Sequence, residues 1–318
     1  AMNEKLLEDP RIDPRIKAAF ASIRLSAGGE VASREEVVAT ASSERAVKFR
    51  KGLEAWLNAM DTESVAPSDG LVTTEHQVVS QPDGNTINVR LIRPDVSGPL
   101  PCVYYIHGGG MKHWSCDYGN YRAFGRLIAA CGVAVAMVDF RNSVSPSSVA
   151  EIAPYPAGLN DCVSGLRWVH AQAQALGVDA NRIVVAGDSG GGNLTLAVGL
   201  KLAGDGGSSP ARGLYALCPY IAGQWPLESN PSSLENNDIL LDLHNNQGAM
   251  GYNIDAFNAR DPLAWPGFAT KDDVRDLVPT MISVNECDPL RDEGINFYRL
   301  LLEAGVDARC RQVMGTIH

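Results

Sequence analysis

The sequence predicts an α/β fold: a mostly parallel central sheet flanked by helices, with a helical lid inserted late in the chain. Three observations predict it. From Cys102 onward, short apolar runs rich in Val, Ile and Tyr alternate with longer helix-like stretches. A segment of period two, beginning at Leu71, comes before them. The stretch between Ile221 and Phe268 breaks the alternation and is too long for a structureless loop.

The elements follow in order. Residues 1–60 read as helical: Asp13-Pro14 opens a segment through Ile23, and Ser33 with Glu35 and Glu36 opens another through Leu57. Thr74–Val79 and Thr86–Ile92 flank Pro82-Asp83-Gly84-Asn85, a β-hairpin that would form the antiparallel edge of the sheet. Strands are expected at Cys102–Ile106, Val133–Val138, Ile183–Ala186, Gly213–Leu217, Thr280–Val284 and Arg309–Val313. Helices are expected at Tyr118–Ala130, Gly158–Leu176, Gly192–Ala203 and Asp292–Ala304. Strands that alternate with helices imply a parallel sheet covered on both faces.

Composition narrows the function. The 318 residues carry 27 Lys+Arg against 37 Asp+Glu, a net charge of −10. That balance argues against nucleic acid or an anionic membrane as partner, since both need clustered positive charge. The longest apolar runs fall short of a spanning helix, which gives a soluble protein. Seven cysteines are widely spaced with no CxxC pair, and no Cys/His cluster has ligand spacing. They read as reduced thiols of an intracellular, cytoplasmic protein with no metal. The amino terminus lacks the apolar core of a signal peptide, and Ala1 before Met2 reads as a cloning remnant.

Four signals carry chemistry. Gly187-Asp188-Ser189-Gly190-Gly191 is a G-x-S-x-G motif between an apolar strand and a helix. A serine on such a turn projects its hydroxyl above the sheet, and the helix behind it presents free N–H groups. His107-Gly108-Gly109-Gly110 follows the strand Cys102–Ile106. Consecutive glycines leave N–H groups unshielded, as an acyl-transfer site requires where its oxyanion forms; His107 itself reads as a structural brace. A carboxylate must orient the histidine of such a site. Asp288, just past the strand Thr280–Val284, is favoured over Asp292, which looks like a helix start, and Glu286 is a third candidate. His318 falls where the general base is due; His76, His113, His170 and His244 fit worse. Trp114, Tyr118 and Trp225 are candidate pocket walls.

With these motifs the chain resembles, from Pro101 to His318, the hormonesensitive-lipase-like group of α/β-hydrolase carboxylesterases, bacterial family IV. The resemblance implies a serine carboxylesterase acting on small or short-acyl esters through an acyl-enzyme, without metal or organic cofactor. It implies a nucleophile at Ser189, an acid at Asp288, a base at His318, and oxyanion donors at the backbone of Gly109, Gly110 and Gly190. It further implies a cap from residues 1–60 and 222–268 over a catalytic core of 61–221 and 269–318. The partner is a small-molecule ester, with a homodimer left open. An amidase, carbamate hydrolase or lactonase would use the same groups. A non-catalytic receptor is the alternative class; the gibberellin receptors look like this family but lack the histidine.

The chain departs from the family pattern in three places. Gly190 replaces the usual alanine after the serine, which suggests a looser elbow. Phe140-Arg141-Asn142-Ser143 and a Ser/Pro-rich insertion reaching Pro154 replace the family's Tyr-Arg-Leu-Ala-Pro-Glu stretch. The family continues past its histidine, so a truncated carboxyl end is expected here.

Overall fold

The structure, a computed structural model, describes residues 2–26 and 28–318; Ala1 lies outside the described residues. Eight strands form the central sheet: β1 (Leu71–Val79), β2 (Thr86–Pro94), β3 (Leu100–Ile106), β4 (Ala134–Asp139), β5 (Val178–Asp188), β6 (Gly213–Leu217), β7 (Thr280–Asn285) and β8 (Ala308–Val313). Their order across the sheet is β8-β7-β6-β5-β3-β4-β2-β1. β2 pairs antiparallel with both β1 and β4, and the other neighbours run parallel. The hairpin is thus the antiparallel edge that its period-two pattern foretold.

Every residue of β4 is buried, which explains its unbroken apolar text. Side chains alternate across the sheet. Tyr104 and Ile106 enter the main core with Leu159, Leu166 and Leu194, while Tyr105 enters a second cluster with Tyr121 and Met137. The chain leaves β3 for the helix Gly119–Ala129 on that second face, and leaves β5 for the helix Gly190–Asp205 on the first. β3 and β5 are neighbours, with Ile106 in register with Gly187. Their carboxyl ends therefore diverge and open a crevice, the place where α/β sheets bind ligands.

Several boundaries differ from the sequence reading. The helix expected from Ser33 to Leu57 is two, Arg34–Ala41 and Glu44–Asn58. The Ser42 hydroxyl donates back to the Val38 carbonyl (2.8 Å), and Ser43 caps the next helix by accepting from the Ala46 N–H. The segment opened by Asp13 stops at Phe20, short of Ile23. The helix expected over Gly158–Leu176 breaks at Gln172 into Ala157–Ala171 and the single turn Ala173–Leu176. The helix after the serine begins at Gly190, two residues early.

The insert holds short helices at Ser232–Glu235, Gln247–Tyr252 and Ile254–Asn258. Its Leu241–Asp242 pairs in parallel with Leu25–Ser26 of the amino-terminal segment, a pairing too short to leave a sequence signal. Trp225, Tyr252 and Trp265 join the main core, so the insert is rooted in the sheet's own interior. A separate cluster of Leu6, Ile12, Ile239, Leu240, Cys287 and Ile317 ties the amino-terminal segment to the insert and to the residues just before Asp288 and His318. Among the described residues, no helix is long and apolar enough to cross a membrane.

Candidate active site

Ser189 sits between β5 and the helix Gly190–Asp205 with φ +55°, a conformation that L side chains rarely adopt. Its N–H donates to the Leu217 carbonyl (2.9 Å), and its carbonyl accepts from Asn193 and Tyr220. The turn is tight. A Cβ at Gly191 would lie 2.0 Å from the Ile106 carbonyl oxygen, and one at Gly187 would lie 2.4 Å from the Gly191 oxygen. Only glycine fits at either position.

His318 bridges two groups. Its Nε2 is 2.9 Å from Ser189 Oγ, and its Nδ1 is 2.7 Å from Asp288 Oδ2. Asp288 is fully buried, and its other oxygen accepts from the Leu290 N–H (2.8 Å). Burial opposes charge on the His318 ring, but the Asp288 carboxylate and the neighbouring Cys218 sulfur outweigh it and raise the ring's proton affinity well above an ordinary histidine. Burial pushes the Cys218 thiol up as well, with His318 pulling the other way.

The rivals lie elsewhere. Asp292 accepts from the Ser232 N–H and pairs with Arg291. Glu286 takes the Gly315 N–H at 3.3 Å. His113 bonds Ser145, His244 bonds the Ser233 carbonyl, and His76 bonds Thr74 on the edge strand.

The loop after β3 arches over the serine. Gly109 and Gly110 have φ +106° and +66°, and a Cβ at Gly109 would strike the His113 carbonyl oxygen at 2.2 Å. Among the described residues, nothing accepts from the N–H groups of Gly109, Gly110 or Gly190. The elbow is not loose at Gly190, which corrects the sequence expectation. A Cβ there would lie 2.7 Å from the backbone nitrogens of both Gly110 and Met111, so the glycine loop has closed into the space an alanine would fill.

His107 is buried and stacks on Phe140, with ring centroids 4.5 Å apart. Its Nε2 is 3.3 Å from Asp139 Oδ1. Burial opposes the Asp139 charge, but His107, Ser148 and Ser115 hold its carboxyl well below the usual range. The unfamiliar Phe140-Arg141 pair therefore has a structural use. Arg141 reaches the buried Asp161 at 3.0 Å, and Phe140 backs the glycine loop.

Sequence reasoning missed a second network. The Tyr121 hydroxyl accepts from the Gly108 N–H (2.9 Å) and donates to Asp188 Oδ2 (2.9 Å), and Tyr105 donates to Asp188 Oδ1 (2.7 Å). One phenol thus joins the glycine loop to the residue before Ser189. Tyr121→Phe is expected to lower kcat by about 10-fold while leaving KM nearly unchanged, because donor alignment matters most where oxyanion charge develops. Steady-state kinetics on one ester checks the split; a rise in KM at constant kcat would contradict it.

An aromatic beside the glycine loop was also missed: a Cβ at Gly110 would lie 3.8 Å from Tyr220 Cε1. Tyr220 follows Pro219 and stacks on Trp225 at 4.6 Å. Trp225, a candidate wall, is as buried as Tyr220, and its indole donates to Glu293 Oε1 (2.7 Å). Trp114 and Tyr118 pack beside Tyr121, 6.1 Å from each other, at the foot of the glycine loop.

Glu293 also accepts from the Ile221 and Ala222 N–H groups, both at 2.7 Å, and so fastens the start of the insert. Burial raises its pKa to about 8 against those three donors. A carboxyl that binds its proton more tightly when folded gives stability that is present at low pH and lost as pH rises through the folded value. Glu293→Gln is therefore expected to flatten a decline of up to about 1.4 kcal/mol per pH unit. Urea unfolding of both proteins at pH 5, 6.5 and 8 measures this, and parallel curves would contradict it.

A family model described as the alpha/beta hydrolase fold matches residues 103–318. The chain belongs to the α/β-hydrolase family. Carboxylesterase NlhH of Mycobacterium tuberculosis is 35% identical to this α/β-hydrolase over 241 residues, covering 74% of this chain and 72% of that protein. The structure of esterase Est22 superposes with a TM-score of 0.97 at 66% identity, covering 99% of this chain and 92% of that one. Brefeldin A esterase, described as a bacterial homologue of human hormone-sensitive lipase, gives a TM-score of 0.83 at 34% identity over 98% and 87%. These likenesses place this α/β-hydrolase in the hormone-sensitive-lipase-like group.

Proposed function

We propose that this carboxylic ester hydrolase cleaves small, short-acyl esters through an acyl-enzyme on Ser189. The observation that carries the reading is His318, bonded to Ser189 at 2.9 Å and Asp288 at 2.7 Å, near the backbone N–H groups of Gly109, Gly110 and Gly190, which find no acceptor among the described residues. His318 Nε2 takes the Ser189 proton as Oγ attacks the ester carbonyl carbon. The proton on Nδ1 stays with the ring, and the buried Asp288 carboxylate stabilises the imidazolium. The carbonyl oxygen becomes an oxyanion held by the N–H groups of Gly109, Gly110 and Gly190. His318 then protonates the departing alkoxide. Water, deprotonated by the same nitrogen, attacks the acyl-enzyme, and the acid leaves as Ser189 regains its proton.

Residues 1–60 and 222–268 serve as the cap in this reading. Val37 and Ala41 of the amino-terminal part pack with Val144 and Met250, which supports a covered crevice suited to short acyl groups. Seven unpaired thiols fit the cytoplasmic setting. Rates on p-nitrophenyl esters from acetate to palmitate test the preference. The kcat/KM value is expected to peak among the short esters and fall by at least about 10-fold at palmitate. Equal rates on long chains, or faster turnover of matched amides, carbamates or lactones, would overturn it.

A further inference from the structure

Cys218 stands at the end of β6, directly beside the candidate triad. It is a non-glycine residue with φ +38°, and its N–H donates to the Ser283 carbonyl at 2.7 Å. Strained residues of this kind persist where the surroundings fix them, and they point to function. Cys218, Asp288 and His318 each offer one donor atom, and these atoms lie within 4.8 Å of one another. The three come from separate loops, so no sequence spacing could announce them.

Sulfur, imidazole nitrogen and carboxylate oxygen form a donor set that suits a borderline-soft cation. A tetrahedral ion about 2.0–2.3 Å from each donor needs its donors roughly 3.3–3.7 Å apart, which side-chain shifts of about 1 Å would give. We propose that Cys218, His318 and Asp288 form an inhibitory site for a thiophilic divalent cation, with water as the fourth ligand.

The balance of protons explains the inhibition. The cation replaces the thiol proton of Cys218, which passes to solvent. It also takes the Nδ1 lone pair of His318, so the ring's one proton moves to Nε2. That nitrogen faces Ser189 Oγ and can no longer accept its proton. The site thus locks the ring in the wrong tautomer without touching the serine. The effect on rate rests on the triad reading above, but metal binding does not.

Cd²⁺ is the probe. Initial rates are measured against Cd²⁺ for the full chain and for Cys218→Ser and Cys218→Ala, each relative to its own metal-free rate. Ultraviolet difference spectra record the thiolate-to-cadmium charge-transfer band. The wild type should lose activity, regain it with EDTA, and show the band. In either variant that folds, the half-inhibiting concentration should rise at least about 10-fold, with loss of the band component owed to Cys218. The exposed Cys131 remains in all three proteins and cancels in the comparison. A band unchanged in the variants would overturn the site, whatever their Cd²⁺ sensitivity. If the triad reading alone fails, the Cys218-dependent band persists without Cys218-dependent inhibition.

Discussion

Ser189→Ala is expected to lower ester turnover by about 10⁴–10⁶-fold while leaving the fold and its melting temperature nearly unchanged. The hydroxyl supplies the oxygen that His318 Nε2 contacts at 2.9 Å, and alanine removes it without adding volume. Residual rate would come from the glycine-loop donors and from substrate positioning, which act without the nucleophile. The small side chain also tolerates the strained φ of +55° no worse than serine. Rates on p-nitrophenyl acetate, with circular dichroism as the folding control, decide the matter. An alanine variant that keeps most of the activity would remove Ser189 from the chemistry.

Asp288→Asn should cost about 10⁴-fold in kcat for a different reason. The carboxylate accepts from His318 Nδ1 at 2.7 Å and from the Leu290 N–H at 2.8 Å. An amide of the same shape keeps one acceptor oxygen, which the Leu290 N–H claims, and turns its NH₂ toward the ring. Nδ1 must then accept, the ring proton moves to Nε2, and the base faces Ser189 already protonated. KM should change little, because the acid does not touch substrate. A kcat within about 10-fold of wild type would show that another carboxylate orients His318.

The strand-helix alternation was legible because buried parallel strands write continuous apolar runs, as Ala134–Asp139 does. The candidate site was legible for a similar reason. Gly187 and Gly191 exist because backbone passes within 2.6 Å of where their Cβ atoms would be, so close approach leaves glycine in the text. Tyr121, Tyr220, Glu293 and Cys218 left no such mark. Each is an ordinary residue type whose role depends on a partner far along the chain, such as Glu293 with Trp225 or Tyr121 with Asp188. Helix ends misled where a local hydroxyl decided them, at Ser42 and Ser43.

The most direct test of the account is covalent labelling with a fluorophosphonate probe, read by intact mass and peptide mapping. A hydroxyl activated by a histidine-carboxylate pair should take up one probe, on Ser189, with none on Ser189→Ala and far slower uptake by Asp288→Asn. An unlabelled wild-type protein, or an adduct on any other residue, would contradict it.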